Sequence, residues 1–464
     1  MQRRKSGSRQ AELFPRAIRP VILLDENHRL VRLTEELDWT ELEEIVESIR
    51  RSKLQSAAGR PPRLRALIGA VIFRATRHMT YRDTEDQIRH YAPARYLCAL
   101  TETDWTPDAN TIQDFEQLLG EDGLKRLNEF AVKEAVAEGL ADPRVLVADT
   151  TAQEAAVPYP NEIGLMATFL TAVCAAGKTA GIHLKDFVRS AAPLFAAAKR
   201  KVREYRLFAL HKTKEIKNKM VAGVATLVEK VQRGLTQAIK QAEAKKQRLV
   251  RYGKVAWAKT MRLHQTMTRL LPQIRYWLKT GYVAANKVIS LQIPELYSVV
   301  RGKVGKTVEF GLSWGITRLK GGFLLATMGQ SRKDVMDSKF VVAAVRNHMA
   351  LFGRAPNAYA YDRGGYSLDS VEALRQMGVR QVGLAPRGRA DWEVKGRVKT
   401  QLMSERAQVE GCIGAIKSSR YGFHRPKARS VEMMGVCGQR AVLGFNLNKL
   451  VRELAKREEI VLVG

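Results

Sequence analysis

The strand signals of this chain fall in two places. Residues 145–148, ValLeuValAla, read as a short buried strand; residues 162–290 then read as long helices with almost no strand signal; and strands resume only after Pro294. Strands are expected at 308–316 and 323–328, joined by a turn at Gly321-Gly322. Helix at 338–352, strand at 358–361, helix at 368–377, strand at 381–384, helix at 403–418 and an amphipathic helix at about 431–456 complete the order. A strand, a helical insertion, two strands and then alternating helices and strands make a mixed α/β sheet. This gives a domain of 141–161 plus 291–464, with 162–290 as a basic helical insertion.

Ahead of it, residues 1–60 read as a partly disordered region, with one helix at 39–52. Residues 61–140 read as an all-α domain. Pro61-Pro62 opens a helix whose apolar residues share one face. Thr80 or Asp83 could cap a second helix through Gln87, and Asn110 or Thr111 a third through Leu119. Short helices with basic residues suit a helix-turn-helix-like DNA-binding unit and a plain bundle equally well.

Charge narrows the partner. Lys and Arg number 78 against 47 Asp and Glu, a formal net charge of +31. Such a field needs a polyanion, nucleic acid before an anionic membrane. The longest weakly polar run, 165–176, falls well short of the roughly 20 residues that a spanning helix requires. The basic start has no apolar core after it, so no secretory signal is read there. The expectation is a soluble, cytoplasmic protein associated with the nucleoid. Cys98, Cys174, Cys412 and Cys437 form no CxxC pair, which points away from disulfides and zinc. Between 199 and 279 there are 22 Lys or Arg against 4 acids, interleaved with Tyr205, Tyr252, Trp257, Tyr276 and Trp277. That imbalance is too one-sided for self-paired salt bridges and favours a DNA-contacting face over a merely solvated one.

Two aspartates share one context. Asp149 and Asp362 each end a predicted strand and precede turn residues, Thr150-Thr151 and Arg363-Gly364-Gly365. Carboxylates at the ends of neighbouring strands converge on one sheet edge, and they repel unless a cation lies between them. Oxygen ligands without His or Cys point to Mg²⁺ or Mn²⁺. Either Asp alone would more simply cap a turn. A third element shifts that balance. Arg406, Glu410 and Lys417 keep to about one face of the 403–418 helix, where an acid can ligate a metal while the bases hold phosphates. The plainer reading is a surface ion-pair ladder.

That helix resembles the third catalytic motif of bacterial insertion-sequence transposases of the DDE class: Tyr, two residues, Arg, three, Glu, six, Lys. Arg406, Glu410 and Lys417 match its spacing, and Met403 stands where the family has Tyr. The strands ending in Asp149-Thr-Thr and Asp362-Arg-Gly-Gly-Tyr resemble the first and second motifs. GluPheGlyLeu at 309–312, TyrGlyPheHisArgProLysAla at 421–428 and AsnLeuAsnLysLeu at 446–450 also look familial, and 61–122 resembles the N-terminal helical domain. The resemblance implies a ribonuclease-H-like catalytic core. Asp149, Asp362 and Glu410 would be catalytic and would hold two Mg²⁺ (or Mn²⁺) ions, Asp149 bridging both, with Glu405 the rival third carboxylate. Arg406 and Lys417 would hold DNA phosphates, as would a basic loop with Arg387, Arg389, Lys395, Arg397 and Lys399. Double-stranded DNA, as transposon ends and target, would be the partner of a homo-oligomer, and the 3′-hydroxyl ends would be joined to target. Another ribonuclease-H-like nuclease or a catalytically retired DNA-binding protein are the alternatives. A basic coiled-coil scaffold is disfavoured by the strands.

Overall fold

The computed structural model describes residues 24–53, 62–245, 249, 251–303, 306–329, 331, 334–386, 388 and 392–463. The chain forms two compact units, Met1–Leu140 with Leu443–Gly464, and Ala141–Val442.

The first unit is helical: α1 (Arg29–Glu36), α2 (Trp39–Lys53), α3 (Leu64–Arg77), α4 (Tyr81–His90), α5 (Ala92–Leu97) and α6 (Ala109–Ala137). Thr80 caps α4, its hydroxyl accepting from the Asp83 amide at 3.1 Å. The cap of α6 is Asp108 rather than Asn110 or Thr111, because its carboxylate takes the Thr111 amide at 2.7 Å. Leu119, where sequence patterning ends this helix, borders a real break. Gly120 has φ 65°, and a second helical segment carries α6 on to Ala137. The last helix of the chain, α15 (Val431–Val463), contributes its part from Leu443 to this unit. Asn446 donates to Asn128 at 2.7 Å and Asn448 to the Thr76 carbonyl at 2.9 Å, all four residues being buried. The 446–450 motif therefore bolts α15 to α3 and α6, each amide meeting a polar group that burial would otherwise strand.

The second unit is mixed α/β. Strand β1 (Asp142–Glu154) precedes five helices, α7 (Glu162–Gly177), α8 (Ile182–Ser190), α9 (Ala192–Phe208), α10 (Lys214–Ala244) and α11 (Arg251–Thr280). Then follow β2 (Tyr297–Lys303), β3 (Lys306–Lys320), β4 (Leu324–Met328), α12 (Asp337–Phe352), β5 (Ala358–Ala360), α13 (Leu368–Gln376), β6 (Gln381–Gly383) and α14 (Gly396–Lys417). The sheet runs β2-β3-β1-β5-β6, with β4 on β3 as well. β1 pairs antiparallel with β3 and parallel with β5, and β5 pairs parallel with β6.

The helical insertion closes a core of its own. Phe169 and Val173 of α7, Val224 and Val228 of α10, and Met267 and Leu270 of α11 are fully buried in one cluster. Tyr205, Trp257 and Trp277 pack against that cluster, while Tyr252 and Tyr276 are exposed. Of the interleaved aromatics, three thus stabilise the insertion and two remain at its surface. His264 belongs with the first group. Its ring lies 2.8 Å from the Thr236 hydroxyl, and burial lowers its pKa, which favours the neutral imidazole.

Three departures from the expected strands have physical causes. β1 extends to Glu154 because β3 pairs with it from Asp142↔Lys320 to Glu154↔Gly311. Asp149 therefore lies inside a strand, not at its end. β2 was not expected at all: it is an edge strand of mixed polarity with no apolar alternation to mark it. β3 spans Lys306–Lys320 because β2, β1 and β4 all pair with it. Within β3, a Cβ on Gly311 would lie 1.9 Å from the Gln153 carbonyl oxygen, a close approach that only glycine allows.

Gly311→Ala therefore forces the β1–β3 backbones apart. It should destabilise the protein by about 2–3 kcal/mol, read as a lowered denaturant midpoint in urea. An unchanged midpoint would mean that the strands can part here at no cost.

Candidate active site

The parallel ladder between β1 and β5 ends at Val147↔Ala360, and Asp149 and Asp362 each lie two residues past that pair. Register partners share a sheet face, and alternate residues return to it. Asp149 therefore projects on the face of Val145 and Val147. Both aspartates are half-buried and line one cavity of about 350 Å³, with Thr150, Ser298, Ser313 and Asp337 also in its wall. The structure thus brings together two of the three carboxylates expected from the sequence.

Backbone amides hold each in place. Asp149 Oδ1 accepts from the Thr150 amide at 2.7 Å. Asp362 caps the 3₁₀ turn Arg363–Gly365, accepting from the Gly364 amide at 2.8 Å. The paired glycines make this turn possible. A Cβ on Gly365 would stand 2.6 Å from the Tyr361 ring, and one on Gly364 would sit 2.8 Å from an Asp337 oxygen. On β5, three residues before Asp362, Tyr359 is wholly buried. Burial, then the charge of Asp149 and that of Asp362, raise its pKa well above the ordinary phenol value. Tyr361 is shifted the same way by burial first and by Asp337 next. Both phenols stay protonated.

Glu410 lies elsewhere. Helix α14 buries Leu402, Glu405, Val409, Ile413 and Ile416, a stripe at the 3–4 residue spacing of one helix face. Arg406, Glu410 and Lys417 flank that stripe, roughly 80° round the helix from its centre; Glu410 is exposed and Arg406 and Lys417 are half-buried. Glu410 does not line the cavity of the two aspartates. It does share their side of the sheet. Arg318, opposite Val147, donates to Glu405 and to Gln408, and just past the end of α14, Phe423 packs on Trp314, opposite Thr151. Glu410 falls between these two anchor points along α14, as Asp149 does along β1.

Glu405, the rival third carboxylate, is committed to the buried pair with Arg318. Glu309 to Leu312 of the familial strand motif belong to β3, where they pair with β1 and β2. In the 421–428 motif Phe423 is buried on Trp314, the Arg425 amide donates to the Glu154 carbonyl, and His424 lies 3.9 Å from the Glu154 carboxylate. That segment fastens the loop after α14 to the end of β1.

The basic loop needs a correction. Arg397 and Lys399 lie in the first turn of α14, which begins at Gly396, and Lys395 is its N-cap. A glycine with φ 61° starts the helix earlier than its apolar periodicity suggests. Arg387 and Arg389 lie outside the described residues. The residue that sequence reasoning missed is Asp337. It opens α12 with no motif around it, and only its place in the cavity wall marks it.

Apart from the Met336 thioether, the cavity's side-chain donors are oxygens, carboxylates and hydroxyls, which suits a hard divalent cation. Among the described residues, no three His, Cys, Asp or Glu side chains lie close enough together to hold a metal ion. The aspartates fit as one part of a ligand set, and Glu410 does not line their cavity. Among the described residues, no helix is long and apolar enough to cross a membrane.

Residues 21–118 match the family model described as Transposase domain (DUF772). Over that stretch the chain is similar to a transposase domain, and the match supports a transposase, an enzyme class that cuts and joins DNA. No curated protein and no solved structure matches the chain.

The two glutamates of α14 should behave oppositely. Glu405→Ala strands the buried Arg318 and should cost about 3–5 kcal/mol, whereas the exposed Glu410→Gln should stay within about 0.5 kcal/mol of wild type. Chemical denaturation of both variants checks this, and equal stabilities would show that the Arg318–Glu405 pair is dispensable.

Proposed function

We propose that this protein is a transposase of the DDE class. On this reading it cuts at the ends of its insertion sequence and joins the 3′-hydroxyl ends to target DNA on a ribonuclease-H-like core. The observation that carries the proposal is the pairing of Asp149 and Asp362, two residues beyond the same parallel register pair and in one oxygen-lined cavity. A sheet with three antiparallel strands joined through β1 to two parallel ones, and a helix bearing Glu410 across the Asp149 face, supports the ribonuclease-H-like reading.

Asp149 and Asp362 would hold Mg²⁺ or Mn²⁺, with Glu410 as the third carboxylate. Two such ions, when bound, supply charge neutralisation at phosphorus and an activated nucleophile. The chain's own groups do the rest. The Thr150 and Gly364 amides orient the two carboxylates. Tyr359 and Tyr361 are buried close to them as protonated phenols. Arg406 and Lys417 flank Glu410 on α14, where each can hold a phosphate. Lys395, Arg397 and Lys399 surround the amides at the α14 N-terminus, and cations there oppose the helix dipole unless an anion joins them. The exposed bases of α10 and α11, among them Lys230, Arg233, Lys254, Lys259 and Arg269, add a sequence-independent DNA surface. Synapsis of two ends would need at least a dimer on the DNA.

The experiment pairs duplexes carrying the element's ends with Mg²⁺, Mn²⁺ or EDTA. Wild type should nick at the ends and transfer strands only with metal. Asp149→Asn, Asp362→Asn and Glu410→Gln should each lose at least about 10³-fold in rate while still binding DNA. Cleavage that survives Asp149→Asn would rule the proposal out. Cleavage without strand transfer would favour a plain nuclease.

A further inference from the structure

Thr150 follows Asp149, and Tyr361 precedes Asp362. Both neighbours send their hydroxyls to one atom: Thr150 Oγ1 donates to Asp337 Oδ1 at 2.7 Å, and the Tyr361 hydroxyl donates to the same oxygen at 3.0 Å. Asp337 is the first residue of α12, and that helix end is pinned to the sheet. Phe340, one turn on, is buried over Gly315, where a Cβ would lie 2.1 Å from its ring, and Gly315 is the register partner of Thr150. Phe340 also packs against Tyr361, with ring centroids 6.4 Å apart. On the other side of the turn, the Cβ position of Gly364 is 2.8 Å from Asp337 Oδ2 and 3.0 Å from Asp362 Oδ1. The two carboxylates face each other across that glycine.

We propose that Asp337 is a positioning residue: it ties the β1 and β5 strand ends together through Thr150 and Tyr361, and so sets the separation of Asp149 and Asp362 and their affinity for a divalent cation. This rests on the reading of those two aspartates as a cation pair. Strand ends joined only by backbone beyond their last ladder bond can splay, and a shared acceptor on a fixed helix removes that freedom. The two hydroxyls need an oxygen acceptor and not a charge, so an amide can replace the carboxylate in this role. A metal ligand could not be replaced so readily, which separates the two roles.

The test is Mn²⁺ titration calorimetry on the full chain, with melting temperature as the folding control. Wild type should bind Mn²⁺, and Asp149→Asn should not. Asp337→Ala should weaken binding about tenfold or more, the usual size of a lost outer-sphere partner. The double variant Thr150→Val with Tyr361→Phe, which leaves the Asp337 charge in place, should weaken it as much. Asp337→Asn should recover most of the affinity. If the double variant binds like wild type, the clamp does not exist. If Asp337→Asn falls as far as Asp149→Asn, Asp337 is itself a ligand and the positioning role is wrong. Amide hydrogen exchange without metal keeps the clamp testable should wild type bind no Mn²⁺, an outcome that would overturn the cation-pair reading instead. Segments 149–151 and 361–365 should exchange faster in Asp337→Ala, and unchanged exchange would overturn the clamp on its own.

Discussion

Strand β1 carries hydrogen bonds on both edges, and the second unit is organised by that fact. Its antiparallel ladder with β3 runs to Glu154, while its parallel ladder with β5 stops at Val147. One strand therefore leaves the parallel half of the sheet while still held rigidly by the antiparallel half. Asp149 stands at that divergence. A carboxylate there has a fixed backbone on one side and an open edge on the other, which is where ligands gather in sheets with parallel strands. The five helices between β1 and β2 do not disturb this arrangement, because they bury their own core and return the chain to the sheet.

Much of this was legible in the sequence, for reasons that differ by element. The helices of the second unit follow from apolar periodicity, and the helical insertion follows from the absence of strand signal between Asp149 and Pro294. β4, β5 and β6 are short apolar runs bounded by turn residues and were found nearly in place. β2 was invisible because an edge strand needs no alternation. The full length of β1 was hidden because Asp149-Thr150-Thr151 also has the composition of a turn, and only pairing with β3 decides between the two.

The candidate site was legible in part. Asp149 and Asp362 carry local signals, and the cavity they share agrees with those signals. Asp337 carries none, since nothing in its neighbours foretells that α12 will start against Thr150 and Tyr361. On α14 the spacing of Arg406, Glu410 and Lys417 separates Glu410 from Glu405, and burial separates them again. Glu405 lies in the apolar stripe and needs Arg318 to be tolerated there, whereas Glu410 stands at the stripe's border with an exposed carboxylate. Basic charge was a coarser guide: it picks out the insertion without saying which of its aromatics are core.

The two sides of the sheet divide the work between adjacent residues. Asp149 shares the face of Val147, opposite Arg318, and that face is covered by α14 through the Arg318–Glu405 pair. Thr150, one residue on, projects to the opposite face, where α12 covers Gly315 with Phe340 and accepts the threonine hydroxyl with Asp337. The period of two along a strand makes this division unavoidable. Asp149 on one face is thus followed by Thr150 on the other, and both reach the cavity wall. The same alternation holds at Tyr361 and Asp362 with the order reversed. The hydrogen-bonded support beside both candidate carboxylates therefore comes from the start of α12, whose Asp337 also stands in the cavity wall with them.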